Sequence, residues 1–444
     1  ASGEPSEPSN AVVPRAPSRG NHEPETPEDS AAVLINGREE KVGTAVTETR
    51  NGQTVTTISI DPDRLDEKLA EAGLHAVVTI PAPPGTDVVI GELNGRMVKN
   101  MEDRQAVLEI RTDRAAYTLP ARQINIDAIS AQLGASAALE DIKIRIEVGE
   151  PTAETAGLAA SAAADGSFAI VVPPVVFTVT AAYGDAVIEV TKFGAYVERT
   201  IAIPDGVDPE RITTGVVLDP DGTARHVPTK IIVVGGSYYA VINSLTNSAY
   251  TVVWHPVEFR DMAGHWAKDA ANDMGSRMIL EGTGGGRFSP DREITRAEFA
   301  AIIVRALGLA PEQGANVFPD VKESDWHNGA VRAAHAYGLL SGYADGTFRP
   351  NEKITREQAM VILAKAMALT GLKASLPEQS PDDALRAFAD AGQASGWAVA
   401  GIADCVQAGI VTGKNGRALA PQDTITRAEA AAMMERLLRK SDLI

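Results

Sequence analysis

The sequence predicts a multidomain chain: a small α+β domain, a β-sandwich-like domain, then an all-α set of three repeats packed about a pseudo-threefold axis. Three observations predict it. A phrase of fixed order recurs three times near the C-terminus, closing on Ile-Thr-Arg-Ala-Glu or Ile-Thr-Arg-Glu-Gln at Arg296, Arg356 and Arg427. Residues 141–253 read as short alternating strands, several separated by Asp-Gly or Gly-Asp turns. Residues 31–127 mix strand and helix patterns.

The repeated phrase opens Phe-x-Asp, at Phe259 and Asp261, Phe318 and Asp320, and Phe388 and Asp390. Trp266, Trp326 and Trp397 follow, then a Gly turn containing Gly282, Gly342 and Gly413, then Pro290, Pro350 and Pro421. The repeats span 255–312, 313–380 and 381–444, and each holds two helical patterns. In the second these are 326–340 and 354–369, joined by a tight loop that packs Phe348 inward. A repeat this short cannot bury its own apolar face. Packing three together leaves grooves between neighbours, each near one arginine.

Upstream, residues 1–30 are Pro, Ser and Glu-rich and read as a linker. In 31–127, Val55–Ile60 reads as a strand. Asp61 then caps a helix with Pro62 in its first turn and Leu65, Leu69 and Leu74 at helical spacing. Residues 76–80 form a strand, 88–101 a second helix with Met97 and Met101 on its core stripe, and 107–112 and 116–119 a strand pair. The domain from 128 to 254 is almost all β, beginning with the alternating run 142–148. That first strand could also share a sheet with the preceding domain.

The 444 residues carry a net charge of -18, which argues against nucleic acid or an anionic membrane as partner. No apolar stretch is long enough to cross a bilayer, so no membrane insertion is expected. The single cysteine, Cys405, lies in an apolar pattern and reads as a buried small hydrophobe. The chain opens Ala-Ser-Gly-Glu-Pro and is read as a piece of something longer. None of the seven histidines falls in an HExxH pattern, and no GxSxG or complete P-loop occurs. Asp61–Asp66 echoes a calcium loop without its glycine, so helix capping is preferred. No catalytic role, metal or cofactor is expected.

The chemistry lies in the repeats. Thr295 with Glu298, Thr355 with Gln358, and Thr426 with Glu429 form capping boxes. The arginine after each threonine is not explained that way, because cations are unfavourable at a helix N-terminus. A guanidinium beside free backbone N–H groups would make an anion site. The competing reading is an ion pair to Asp261, Asp320 or Asp390. Three such arginines in so acidic a chain favour an acidic ligand. Each tryptophan could be core or could stack on a sugar. The glycines permit positive φ and would let a ligand approach the backbone.

Together these residues resemble S-layer homology domains over about 256–440. Such domains tether proteins to the walls of bacteria with a Gram-positive-type envelope. The resemblance implies a three-lobed helical prism that binds an acidic secondary cell wall polysaccharide, often ending in a pyruvate ketal on N-acetylmannosamine. It implies binding through Arg296, Arg356 and Arg427 and the groove glycines Gly282, Gly342 and Gly413. Trp266, Trp326, Trp397, Asp261, Asp320 and Asp390 join them as candidate polysaccharide contacts. The second repeat matches best, with Ser341–Phe348; the first carries Glu281 and Gly284–Gly286, and the third has Leu419 where the loop Phe stands. The groove built on Arg356 is therefore expected to bind best. Residues 31–253 resemble modules that precede such repeats in secreted proteins of Paenibacillus-like bacteria. The expected function is non-covalent anchoring at the cell wall or S-layer, with self-association in a surface layer. The alternative is the C-terminal anchor of a large secreted polysaccharide-degrading enzyme.

Overall fold

The computed structural model describes residues 30–134 and 137–444. The expected linker lies outside the described residues, except that Ser30 opens the first strand. From there to Trp254 the strands join one 16-stranded sheet.

This corrects the expected pair of separate α+β and sandwich domains. Strand Val88–Asn94 pairs in parallel with Gln53–Ile60 on one side and antiparallel with Lys143–Gly149 on the other. The alternating run that opens the second expected domain is thus added directly to the sheet of the first. The two end strands of the sheet, Ala224–Val227 and Thr229–Val234, are separated in sequence by Pro228 alone. Between them the sheet folds over on itself. A Cβ on Gly215 would meet Ile242 at 3.0 Å, although the two strands are far apart in the sheet order. Phe177 stacks edge-on against Tyr117 at 5.2 Å and Tyr250 at 5.8 Å across the fold. The buried Arg199 lies beneath these rings, donating to the Thr246 carbonyl at 2.6 Å and to Asn247 Oδ1 at 2.8 Å. A charge so buried is held by those acceptors and by the ring faces.

Two local readings also change. Residues 88–94 are strand, and the helix begins only at Gly95, capped by Asn94 through the Met97 N–H at 2.9 Å. The Val-Val-Ile run is β-branched and enters a central position of the sheet, where such residues pack best. Within the region read as all β, Ala153–Asp165 is a helix whose N-cap is Thr152. The helix after Asp61 stands as read, with Leu65 and Leu69 buried. It ends at Gly73 (φ 82°), which leaves Leu74 exposed.

Beyond Trp254 each repeat contributes two main helices: Lys268–Ser276 and Arg296–Ala306, Asn328–Ala336 and Arg356–Leu369, Val399–Gln407 and Arg427–Lys440. They share one core, which includes Cys405; its thiol donates to the Met360 carbonyl at 3.2 Å, and burial pushes its pKa up. Sheet and repeats are in contact. Leu245 of the sheet sits in the repeat core, and the Tyr196 hydroxyl donates to the Leu307 carbonyl at 2.8 Å. At Gly308 (φ 63°) a Cβ would meet Pro228 at 2.8 Å, so this close approach requires glycine.

Candidate functional site

Each long repeat helix starts with a complete capping box, on Thr295, Thr355 and Thr426. The segments before these caps interlock in a closed cycle. The Ile294 N–H donates to the Ile425 carbonyl at 3.1 Å, Ile354 to Ile294 at 3.1 Å, and Ile425 to Ile354 at 3.2 Å. All three isoleucines are buried. The next N–H groups are taken by the neighbouring repeat as well. Arg296 N–H bonds Glu352 O, Arg356 bonds Asp423 O, and Arg427 bonds Arg292 O, all within 2.8–2.9 Å. Ala297, Glu357 and Ala428 bond the carbonyls of Pro350, Pro421 and Pro290 at 3.0 Å each.

The free N–H groups expected beside each arginine are therefore already occupied. This removes the helix terminus as the anion site and leaves the guanidinium. It also lessens the conflict between cation and helix dipole, because each N–H faces a carbonyl oxygen.

The three arginines are 7 %, 3 % and 6 % exposed. Each Nε donates to the carbonyl of a loop residue in another repeat: Arg296 to Phe348 at 2.8 Å, Arg356 to Leu419 at 2.8 Å, Arg427 to Phe288 at 2.7 Å. Arg296 lies 4.8 Å above the Phe348 ring and 4.7 Å above Tyr343; Arg427 lies 4.6 Å above Phe288. Leu419 offers Arg356 no ring. Arg356 Nη1 instead pairs with Glu429 at 2.8 Å. Burial pulls the pKa of all three guanidinium groups down from the ordinary value. They stay protonated, because a guanidinium is not deprotonated in proteins.

Asp261, Asp320 and Asp390 form no ion pair with these arginines; their oxygens are engaged with the loop backbone. Each accepts two backbone N–H bonds from the loop: Phe288 and Ser289, Phe348 and Arg349, Leu419 and Ala420, at 2.7–2.9 Å. The second residue of each pair precedes a proline yet has positive φ: 57° at Ser289, 58° at Arg349 and 47° at Ala420. That conformation is strained for a residue with a side chain. The carboxylate holds it and so carries the loop carbonyl to the arginine.

Gly413 alone of the three groove glycines has positive φ. What all three share is a phenylalanine beneath them. A Cβ would meet Phe259 at 3.1 Å from Gly282, Phe318 at 2.6 Å from Gly342, and Phe388 at 2.7 Å from Gly413. The Phe-x-Asp opening and the Gly turn are thus one packed unit. The tryptophans are not core: Trp266, Trp326 and Trp397 are 65 %, 67 % and 60 % exposed.

The grooves draw on all three repeats at once. One cavity of about 530 Å³ is lined by Trp266 of the first, Arg356 of the second, and Gly413, Glu429 and Arg436 of the third. A second, of about 410 Å³, is lined by Trp326 of the second, Arg427 of the third, and Gly282, Glu298 and Arg305 of the first. Arg296 follows the same order of repeats: its Nη2 reaches the carbonyl of Ser341, the residue before Gly342 in the second repeat, at 3.4 Å. The well-matched loop 341–348 therefore serves Arg296, not Arg356.

Sequence reasoning missed the residues that distinguish these grooves. Gln358 stands where Glu298 and Glu429 stand; it donates to the Tyr343 hydroxyl at 3.1 Å and brings no carboxylate to Arg296. Glu298 is held by Arg292 at 2.6 Å, and Glu281, which the sequence singled out in the first repeat, is paired with Arg305 at 3.0 Å. Arg305, Lys365 and Arg436 each follow the conspicuous arginine by nine residues, a spacing visible in the sequence. No group of three metal-ligating residues occurs among the described residues.

Three interlocked helical units sharing cationic, tryptophan-rimmed grooves define a repeat-built surface-binding module. The S-layer homology domain family matches residues 258–300, 317–360 and 387–431, so the chain carries three S-layer homology domains. Such domains are non-catalytic and anchor proteins to the cell surface, and the chain is extracellular and cell-wall-associated. It is 33 % identical over 248 residues to an amylopullulanase of Thermoanaerobacterium thermosulfurigenes, covering 55 % of this chain and 13 % of that protein. It is 36 % identical over 200 residues to the exoglucanase XynX of Acetivibrio thermocellus, covering 45 % and 18 %. It is 32 % identical over 188 residues to the surface-layer 125 kDa protein of Lysinibacillus sphaericus, covering 42 % and 15 %. The chain thus spans less than a fifth of each of these relatives.

Proposed function

We propose that the three repeats act as one pseudo-threefold unit that grips an acidic, pyruvylated secondary cell wall polysaccharide without a covalent bond. One observation carries this reading: Arg356 and Arg427 are buried at the floor of open grooves, each with Nε committed to a loop carbonyl. With Arg356 Nη1 on Glu429 and Arg427 Nη2 on the Glu281 carbonyl as well, such fixing aims the remaining Nη2 of Arg356 and Nη1 of Arg427, which can donate to a carboxylate. The exposed tryptophans at the rim offer a face to the sugar body. Of the three grooves, that of Arg296 is the best acid receptor, because its capping residue is the neutral Gln358. Several grooves on one chain add avidity where the polymer reaches more than one.

Sedimentation with purified cell walls tests this. Arg296→Lys, Arg356→Lys and Arg427→Lys combined should release the protein into the supernatant while its circular dichroism stays native. Walls stripped of pyruvate should release the unaltered protein too. Undiminished sedimentation in both arms would reject the reading.

A second reading is favoured by the relatives: the amylopullulanase and the exoglucanase carry similar repeats over a small fraction of their length. On that reading the chain is the anchoring portion of a large secreted polysaccharide-degrading enzyme. Self-association in a surface layer rests on likeness to the Lysinibacillus sphaericus protein and is tested by analytical ultracentrifugation.

A further inference from the structure

The groove at Arg427 has a neighbour. A cavity of about 530 Å³ opens between the sheet and the first repeat, lined from the sheet by Arg225 and His226 and from the repeat by Met278 and Leu309. Leu280, Glu281, Gly282 and Arg305 line both this crevice and the Arg427 groove. The segment 280–282 is thus a thin wall with a cavity on each face. Its crest is open: Glu281 and Gly282 are exposed. The wall stands on Phe259, 3.1 Å from where a Gly282 Cβ would lie, so it has no room to thicken.

The lining defines what fits. Its cations already have partners. Asp219 takes Arg225 Nε through both oxygens, at 3.1 and 2.8 Å, and Glu281 pairs with Arg305 at 3.0 Å. Burial holds His226 well below its ordinary pKa, and therefore neutral. The Val257, Met278 and Leu309 side chains supply an apolar wall. The crevice has no uncommitted charge, but guanidinium edges and the Glu281 carboxylate remain at its mouth. That suits an uncharged, amphiphilic ligand, in contrast to the cationic groove across the wall.

We propose that this crevice is a second saccharide subsite, which takes an uncharged sugar unit of the same wall polymer whose acidic unit sits at Arg427. The inference rests on the proposed polysaccharide reading and deepens it. It gives the sheet a part in binding, through the strand Ala224–Val227 that docks on the first repeat. It also makes the Arg427 groove selective for internal chain length, not only for an acidic end.

Methyl and indole NMR on the unaltered full chain tests it, with wall polysaccharide cut to single acidic units and to longer fragments. The Trp326 indole N–H reports the Arg427 groove, and the Met278 methyl, assigned through Met278→Leu, reports the crevice. Short fragments should move Trp326 alone; long fragments should move both. Ala224→Trp, which fills the crevice from the sheet side, should weaken long-fragment binding about tenfold and leave short-fragment binding unchanged. If Trp326 moves and Met278 stays still at every length, the crevice is not a subsite and the groove reading survives. If neither moves, both readings fall at this site.

Discussion

Gln358→Glu should weaken binding of an acidic polysaccharide fragment, and Glu429→Gln should strengthen it. The two changes exchange the character of two grooves. In the Arg356 groove, Glu429 Oε1 lies 2.8 Å from Arg356 Nη1, so an incoming carboxylate must replace an existing charged hydrogen bond. A bond of that kind is worth about 1.5–3 kcal/mol. Removing the competitor should therefore tighten that groove roughly tenfold to a hundredfold, at about 1.4 kcal/mol per decade. Both changes keep the capping box. Gln358 already accepts the Thr355 N–H through Oε1 at 3.2 Å, and Glu429 accepts that of Thr426 at 2.9 Å. Glu429→Gln also leaves Arg356 without its counter-charge in the free protein, so the urea midpoint should fall while affinity rises. A damaged fold cannot produce those opposite signs. The assay is titration calorimetry with a pyruvylated wall fragment, with the Trp266 indole followed by NMR to identify the Arg356 groove. Unchanged affinity in both variants, or weaker binding by Glu429→Gln, would refute the claim that the capping carboxylate competes with the ligand.

Three other outcomes are expected. Asp261 and Asp390 are partly buried, which opposes ionisation, but their two backbone N–H bonds outweigh this and hold the carboxyl groups below the ordinary range. Their folded pKa is depressed, so the stability they contribute is present above the unfolded value of about 3.9 and is lost as pH falls through the folded value. Thermal melts stepped down from about pH 5 should show Tm falling, with a shallower fall in Asp261→Asn with Asp390→Asn. Gly342→Ala should cost about 1–3 kcal/mol in urea unfolding, since its Cβ would lie 2.6 Å from the Phe318 ring and 2.7 Å from the Thr347 carbonyl. Trp326→Ala should change stability by no more than about 0.5 kcal/mol, because the side chain is exposed, while wall sedimentation falls.

The repeats were legible because their signals are local and copied three times. Thr and Glu three residues apart cap a helix whatever surrounds them, and all three boxes form. The arginine was conspicuous as a cation where local electrostatics disfavours one. The sequence did not reveal which loop each arginine serves. Arg356 meets the loop carbonyl of Leu419, 63 residues on, because the repeats close in a ring and each helix start meets the next repeat. The tryptophans stayed open for a related reason: a fixed place in a repeat fits core and shared rim equally, and burial is decided by neighbours.

Upstream the limit was strand pairing. The run 142–148 was readable as a strand from its alternation alone, since period two is a property of the chain. Its partner at 88–94 was hidden, because hydrogen bonding between strands depends on which edges meet after folding, and nothing local encodes that. By itself, then, the sequence determined the units: capped helices and alternating strands, each set by interactions within a few residues. Only the tertiary structure decided the arrangement that makes sites of them. A groove with Trp266, Arg356 and Gly413 on its walls takes one residue from each repeat, and such a juxtaposition exists only once the ring has closed.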